Sequence, residues 1–384
     1  MHFSVDARIV RSAFRVLRQA KPTWAEVSLH HDLLELRFGD ASTEVSLGLP
    51  ASSSTEAGPV PVDPSALAPL KLVSGDLGLG AARKKSAPDG RPATGDDPAS
   101  WAKERLPVVV SGQASADALR RAANVADGSG ERPMLSCICV DTDGSLVASD
   151  GYRLSVEQTD MRPSVPVLVP AKAVRLALAG SNRAKQLSVS VHAEGLPIAQ
   201  ALELYYGGAV GDGTAQGWAE LYAGGATEAA RGWAEIGVGR ALVRTQLTPL
   251  PCFPYRELLK GFPGAVVRLS VGEAMAFARR LQGAPMVMRA NGTVRLSLRG
   301  DNERAAVVQG LSENGQDVEI SFASDFFAEA LEHAGGAWAR IVLDPRSSYA
   351  KRPAKFLGDG RCLVLMPLMP LAGAKNDGRE LGRA

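Results

Sequence analysis

Four arginines near the start of the chain, Arg8, Arg11, Arg15 and Arg18, stand three or four residues apart in ARIVRSAFRVLRQAK, residues 7–21, with Lys21 closing the stretch. On a helix they fall within an arc of ~80°. Val10, Ala13, Phe14 and Leu17 take the opposite side, at the spacing of a core-facing stripe. Such a row is either a solvated face or a track for phosphate, because guanidinium forks bind phosphate oxygens without reading bases. More basic residues, Arg120, Arg121, Lys172, Arg175, Arg279 and Arg280, lie in later stretches with helical spacing. Taken singly each is a surface charge. Recurrence at equivalent places favours one shared basic surface.

Catalytic chemistry finds little to build on. The five histidines, His2, His30, His31, His192 and His333, form no HExxH motif and stand at no metal-ligand spacing. His30 and His31 are neighbours in a strand-like run and point to opposite faces, so they cannot chelate together. GDLGLGAARKK holds Gly78 and Gly80 but is followed by neither a Walker A Lys-Ser/Thr nor a full GxGxxG. GxSxG is absent. The expectation is a non-catalytic binding protein with no metal and no cofactor. Cys137, Cys139, Cys252 and Cys362 read as small buried hydrophobes in a reducing cytoplasm.

The elements that must position the arginines come from a repeat. HFSVDARIVRSAFRVLRQA, PVVVSGQASADALRRAANVA and VVRLSVGEAMAFARRLQG, starting at His2, Pro107 and Val266, each run from an alternating strand into an amphipathic helix backed by arginine. A second set, PVPVDPSALAPLKLV, PVLVPAKAVRLALAG and DVEISFASDFFAEALEHAGG, starting at Pro59, Pro166 and Asp317, repeats the plan. Between helices lie short strands with Asp-Gly and Asn-Gly turns. The reading is α+β, with antiparallel sheets and three similar domains of two strand-helix-hairpin modules: 1–106, 107–251 and 252–384. Residues 80–100 read as a flexible loop, 195–232 as an insertion and 371–384 as a polar tail.

At 384 residues the chain is long enough for two or three cores. A net charge of +2 excludes a globally polybasic protein, so phosphate binding must rest on local charge. The N-terminus lacks a signal-peptide pattern, and no apolar run approaches the ~20 residues needed to span a bilayer. A cytoplasmic location is expected, with no membrane partner.

The stretch RPMLSCICVDTDGSLVASDGYRLSV, Arg132–Val156, resembles the second-domain signature of the bacterial DNA polymerase III β subunit family, the sliding clamps. FPYRELL from Phe253 and CLVLMPLMP from Cys362 resemble two further motifs of that family, in the same order. The resemblance implies the DNA clamp fold and a head-to-tail homodimeric ring, sheets outside and helices inside, around double-stranded DNA of any sequence. It also implies a nucleoid-associated, non-catalytic processivity factor, opened by a clamp loader. Such a clamp tethers the DNA polymerase III catalytic subunit and other replication and repair proteins through their clamp-binding peptides. Carried over motif by motif, one side of the peptide pocket comprises Arg132, Leu135, Ser149, Gly151, Tyr152 and Leu154. The other comprises Pro254, Leu258, Ser348, Val364, Leu365, Met366, Pro367 and Leu368. In the last strand, alternation would turn Leu365 inward and its neighbours to the groove, or the reverse.

Departures from the family pattern define a second reading. FPYRELL is one residue short, Glu257 stands where a basic residue is frequent, and Gln282-Gly283 replaces an apolar pair near the dimer contact. The chain runs 14 residues past Pro370, and that tail could cover the pocket. The alternative is a divergent, non-replicative clamp paralogue, possible as a monomer, that binds clamp-interacting proteins in a specialised or inhibitory role.

Overall fold

The structure is a computed structural model. It describes residues 2–5, 15–30, 33–52, 57–62, 77–78, 105–129, 131–180, 184–198, 200–201, 228–239, 241–260, 264–343, 353–358 and 361–368. The chain divides into two compact units, residues 1–150 with 157–255, and residues 151–156 with 256–384.

The first unit begins with β1 (His2–Val5), a helical turn over 15–20, β2 (Trp24–His30), β3 (Leu33–Gly39), β4 (Thr43–Ser52), β5 (Ala57–Val62) and β6 (Leu77–Gly78). It continues with β7 (Val108–Ser115), α1 (Ala116–Val125), β8 (Cys137–Val140) and β9 (Ser145–Ser149). β10 (Arg153–Gln158) passes between the units. β11 (Val167–Pro170), α2 (Ala171–Gly180), β12 (Gln186–Pro197), β13 (Glu228–Val238) and β14 (Ala241–Gln246) complete the first unit's elements, and α3 (Tyr255–Leu259) leads out of it.

The main sheet of this unit runs β5-β2-β3-β4-β14-β13-β12-β7, every described pair antiparallel. β4 and β14 pair from Thr43↔Thr245 to Leu47↔Ala241, so residues on both sides of position 106 share one sheet. A row of alternating charge crosses that junction: Glu26, Arg37, Glu44, Arg244 and Glu235 sit on β2, β3, β4, β14 and β13. Glu44 is buried and accepts from Arg37 Nη2 at 2.9 Å.

The modules that start at Pro107, Pro166, Val266 and Asp317 appear where the repeat places them, while residues 6–14 of the His2 module and 63–73 of the Pro59 module lie outside the described residues. In β12, Leu187, Val189, Val191 and Ala193 alternate inward, and in α1 the stripe Ala118, Leu119, Ala122 and Ala123 is buried. Ser115 caps α1 by accepting the Ala118 N–H at 3.4 Å. Both helices and the turn at 15–20 feed one apolar core with the strands. Gly195 and Gly232 belong to the β12–β13 ladder, paired with Ala230 and Ala193. Gly232 needs to be glycine: its φ is +146°, and a Cβ would lie 2.0 Å from the His192 carbonyl oxygen. Residues 202–227, the loop at 80–100 and the tail at 371–384 lie outside the described residues.

The second unit contains β15 (Ala265–Ser270), α4 (Val271–Arg280), β16 (Pro285–Ala290), β17 (Val294–Leu298), β18 (Asp301–Val308) and β19 (Gly310–Ser312). β20 (Val318–Ala323), α5 (Ser324–Ala334), β21 (Trp338–Leu343), β22 (Ala354–Gly358) and β23 (Arg361–Leu365) follow. One sheet has the order β18-β17-β16-β20, and β10-β23-β22-β21-β15-β19 run side by side in another. α4 packs on α5, and α5 covers β22 and β23. Phe322, Phe327 and Phe356 meet there with ring centroids 5.4–5.9 Å apart.

The cysteine reading is corrected. Cys139 and Cys252 form a disulfide with a Cα–Cα distance of 6.0 Å, while Cys137 and Cys362 are free thiols. The two halves are 113 residues apart and meet because the segment after β14 returns along β8, a tertiary event that cysteine spacing does not reveal.

Candidate functional site

The basic residues fall into three groups. Arg15, Arg18 and Lys21 are exposed, with Val16, Leu17 and Ala20 buried behind them, so the turn at 15–20 keeps its cations and apolar stripe on opposite sides. Arg279 and Arg280, in the last turn of α4, are exposed as well. There Arg279 Nη2 reaches Glu332 Oε2 at 2.9 Å and Arg280 lies 5.9 Å from the Phe277 ring centroid. Arg8 and Arg11 lie outside the described residues.

The second group is engaged at the surface. Arg120 pairs with Asp117 one turn back, and Lys172 Nζ donates to Asp40 Oδ2 at 2.6 Å. Burial works against the Asp40 carboxylate. The Lys172 ammonium, with the backbone N–H and hydroxyl of Ser42, outweighs it and holds the carboxyl below its ordinary value. Exposed pairs of this kind contribute about 0–1 kcal/mol, so either cation can exchange its carboxylate for a phosphate.

The third group is committed to the interior. Arg121 forms a two-pronged pair with Glu157, Nε to Oε1 at 2.6 Å and Nη2 to Oε2 at 2.7 Å, and the Glu157 side chain is only 3% exposed. Arg175 donates to the Ala123 and Ala126 carbonyls at 3.1 and 2.9 Å, capping the C-terminus of α1 where the helix dipole favours a cation. Burial lowers the Arg175 guanidinium from its usual value, countered by Asp127, and it stays charged at neutral pH. Sequence spacing does not separate Arg120 from Arg121. The carboxylate that distinguishes them lies 36 residues on.

The residues expected to line a peptide pocket divide between the two units. In the first unit Arg132 donates to Asp127 Oδ2 at 3.0 Å, Leu135 is half-buried, Ser149 is buried and Pro254 is exposed. The Asp127 carboxyl is held below its ordinary value, first by the Ser129 backbone N–H, against some burial, then by the Ser129 hydroxyl and Arg132. This fixes the loop that carries Arg132 and Leu135, since Asp127 N–H also donates to the Leu135 carbonyl at 2.8 Å.

In the second unit Tyr152, Leu258 and Met366 are exposed large side chains at 62%, 43% and 37%. The Met366 N–H donates to the Tyr152 carbonyl at 2.9 Å, continuing the pairing of β23 with β10 and bringing these two together. Gly151, exposed and at φ +90°, makes the turn that presents Tyr152. Lys355 Nζ donates to the Leu259 and Lys260 carbonyls at 2.9 and 2.7 Å, which seats the end of α3, and with it Leu258, over β22. Lys355 stands opposite Val364 in the register. The Leu368 N–H donates to the Ser321 carbonyl at 2.9 Å, Pro367 is buried, and Ser348 lies outside the described residues.

One expectation changes here. Leu154, Val364 and Leu365 are all buried, at 2%, 2% and 1%. β23 does not alternate between core and groove: α5 packs on it, and the consecutive residues Leu363, Val364 and Leu365 are all buried, so both of its faces are covered there. Met366, just past its end, carries the exposed apolar surface. Sequence reasoning also missed Arg153, which pairs with Glu329 and lies 4.5 Å from the Phe326 ring centroid, fastening the base of Tyr152 to α5. Its place beside Tyr152 in the DGYRL motif was the available signal.

The repeated strand-helix modules and antiparallel sheets constitute the DNA sliding clamp fold. Solved structures share it across almost their whole length. The DNA polymerase III β subunit of Thermotoga maritima matches with a TM-score of 0.65 and 13% identity, over 97% of this chain and 100% of that one. The Helicobacter pylori β clamp bound to a DNA ligase peptide matches with a TM-score of 0.65 and 14% identity, over 96% and 100%. The Pseudomonas aeruginosa sliding clamp with ligand matches with a TM-score of 0.62 and 15% identity, over 96% and 100%. No protein-family model matches the chain, and no curated protein matches its sequence.

Proposed function

We propose that this chain is a non-catalytic DNA sliding clamp. Two copies, each of three similar domains, would close around double-stranded DNA with Arg8, Arg11, Arg15, Arg18, Lys21, Arg279 and Arg280 toward the phosphates. The observation that carries this is the end-to-end match of the fold to β subunits, covering 96–97% of this chain and all of those chains. Exposed cations suit an encircling protein, which needs phosphate contact but not sequence. Tyr152, Leu258 and Met366 would take the apolar side chains of short peptides from the polymerase, the clamp loader and repair proteins. A flexible thioether next to an aromatic ring accommodates varied sequences. The location this reading carries is the cytoplasm, at the nucleoid.

The test is topological. Loaded onto a nicked circle and freed of its loader, the protein should stay with the circle on gel filtration and leave it once the DNA is linearised. Equal loss from circle and linear DNA would refute encirclement. The native mass should be that of a dimer.

The commitment of Arg121 and Arg175 to internal partners favours a second reading, because it thins the phosphate track. On that reading the chain is a divergent clamp paralogue that binds clamp-interacting proteins without holding DNA. A native mass of one chain together with peptide binding would select it.

A further inference from the structure

The segment Leu247–Tyr255, which runs from the end of β14 to the first residue of α3, is laid along β8 by a regular seam. Residues 137, 139 and 141 share one face by strand alternation, and each meets a successive residue of the segment. Cys137 Sγ lies 3.1 Å from Thr248 Oγ1, Cys139 is bonded to Cys252, and the Tyr255 hydroxyl donates to Asp141 Oδ2 at 2.6 Å. Pro249, Pro251 and Pro254 have no N–H to donate, so the segment is poorly suited to join the sheet through its backbone. Its start is held by the Leu247 and Thr248 N–H groups on the Gly232 and Leu168 carbonyls, at 2.9 and 3.0 Å. Further along, side chains take over, and the disulfide is the middle tie.

We propose that Cys139–Cys252 is a redox-operated fastener of this segment: oxidised, it pins the segment to β8, and reduced, it releases the middle of the seam and loosens the lead into α3. A dithiol reductant attacks the sulfur of Cys252, the less buried of the two residues at 7% exposure against 0% for Cys139. The S–S bond breaks, Cys139 leaves as a thiolate and takes a proton, and a mixed disulfide forms at Cys252. The reductant's second thiol then displaces Cys252, giving two protein thiols and one cyclic disulfide of the reductant. Cys137 does not compete as the nucleophile. Burial pushes its thiol up to about 11, against the lowering effect of the Thr248 hydroxyl, so it stays protonated at neutral pH.

Any effect on peptide capture rests on the reading of Leu258 as part of the groove, because Leu258 sits on the helix that this segment feeds. The test therefore has two arms on the full chain. In the first, hydrogen exchange is compared between protein equilibrated with oxidised dithiothreitol and with reduced dithiothreitol, and the linkage is mapped by mass spectrometry after alkylation. Expected are a linked 139–252 pair in the oxidised sample, and exchange in residues 247–255 about tenfold or more faster on reduction. The β12–β13 ladder should be unchanged. C252S should match the reduced protein without reductant and ignore the reductant. The absence of the linked pair, or equal exchange in both states, overturns the proposal, and neither measurement depends on a variant folding. In the second arm a fluorescent Leu-Phe peptide is titrated in both states. Redox-dependent exchange with no peptide bound in either state supports the fastener and overturns the peptide-binding reading. Redox-dependent exchange with identical affinity in both states overturns the link between the segment and the groove.

Discussion

Arg121→Ala separates two roles that the sequence could not. As a phosphate contact, Arg121 would matter for DNA and hardly at all for folding. Its two hydrogen bonds to Glu157, at 2.6 and 2.7 Å, predict the opposite. Two opposite charges about 4 Å apart attract by ~4 kcal/mol at an effective dielectric of about 20. With Glu157 only 3% exposed, removing the guanidinium leaves a buried carboxylate without its counter-charge, a loss of about 3–5 kcal/mol. For a cooperative unit of this size each kcal/mol moves Tm by about 2–4 °C, so the melting of the first unit should fall by roughly 10 °C. Thermal unfolding followed by calorimetry measures it. Arg121→Met with Glu157→Leu, which removes both charges and keeps the volume, should recover most of the loss. Well below Tm, retention of Arg121→Ala on circular DNA should equal that of the parent. An unchanged Tm together with weakened DNA retention would refute the assignment and return Arg121 to the phosphate track.

Three other outcomes follow from the same structure. Arg15→Glu with Arg18→Glu should leave Tm within about 1 °C and reduce the slope of log affinity for DNA against log salt by about 2 per copy, or about 4 for a ring of two copies; an unaltered slope would make this turn a solvated face. Met366→Ala and Tyr152→Ala should each weaken a Leu-Phe peptide about tenfold or more, as truncation of an exposed apolar anchor does, read by fluorescence anisotropy. The Asp40 carboxyl lies below its unfolded value, so its contribution to stability is complete above about pH 4 and is lost as pH falls through the folded value. Urea midpoints between pH 7 and 3 should show that acid loss shrink in Lys172→Met, with little difference between pH 5 and 7.

The fold was legible because its signal is local and repeated. PVLVPAKAVRLALAG becomes β11 and α2, and DVEISFASDFFAEALEHAGG becomes β20 and α5, as alternation giving way to helical spacing requires. What periodicity could not supply was which modules share a sheet. The β4–β14 pairing joins residues about 200 apart, and its charge row uses ordinary surface residues whose partners are known only once the strands lie side by side.

The site was less legible for a related reason: a residue's type and face are written in the sequence, but its partner is not. Arg120 and Arg121 are adjacent on one helix, yet one pairs at the surface with Asp117 and the other is tied to a buried Glu157. The same limit applies to CLVLMPLMP. Alternation is a valid guide for a strand with one covered face, and β23 has both faces covered, so the groove-facing property moves to Met366, where the strand has ended. It applies again to the cysteines, whose pairing depends on where a proline-rich segment returns. In each case the error comes from a contact between distant parts of the chain. Such contacts also decide which charges are available to a ligand, so the cations to test first on DNA are Arg15, Arg18, Arg279 and Arg280, whose side chains are exposed.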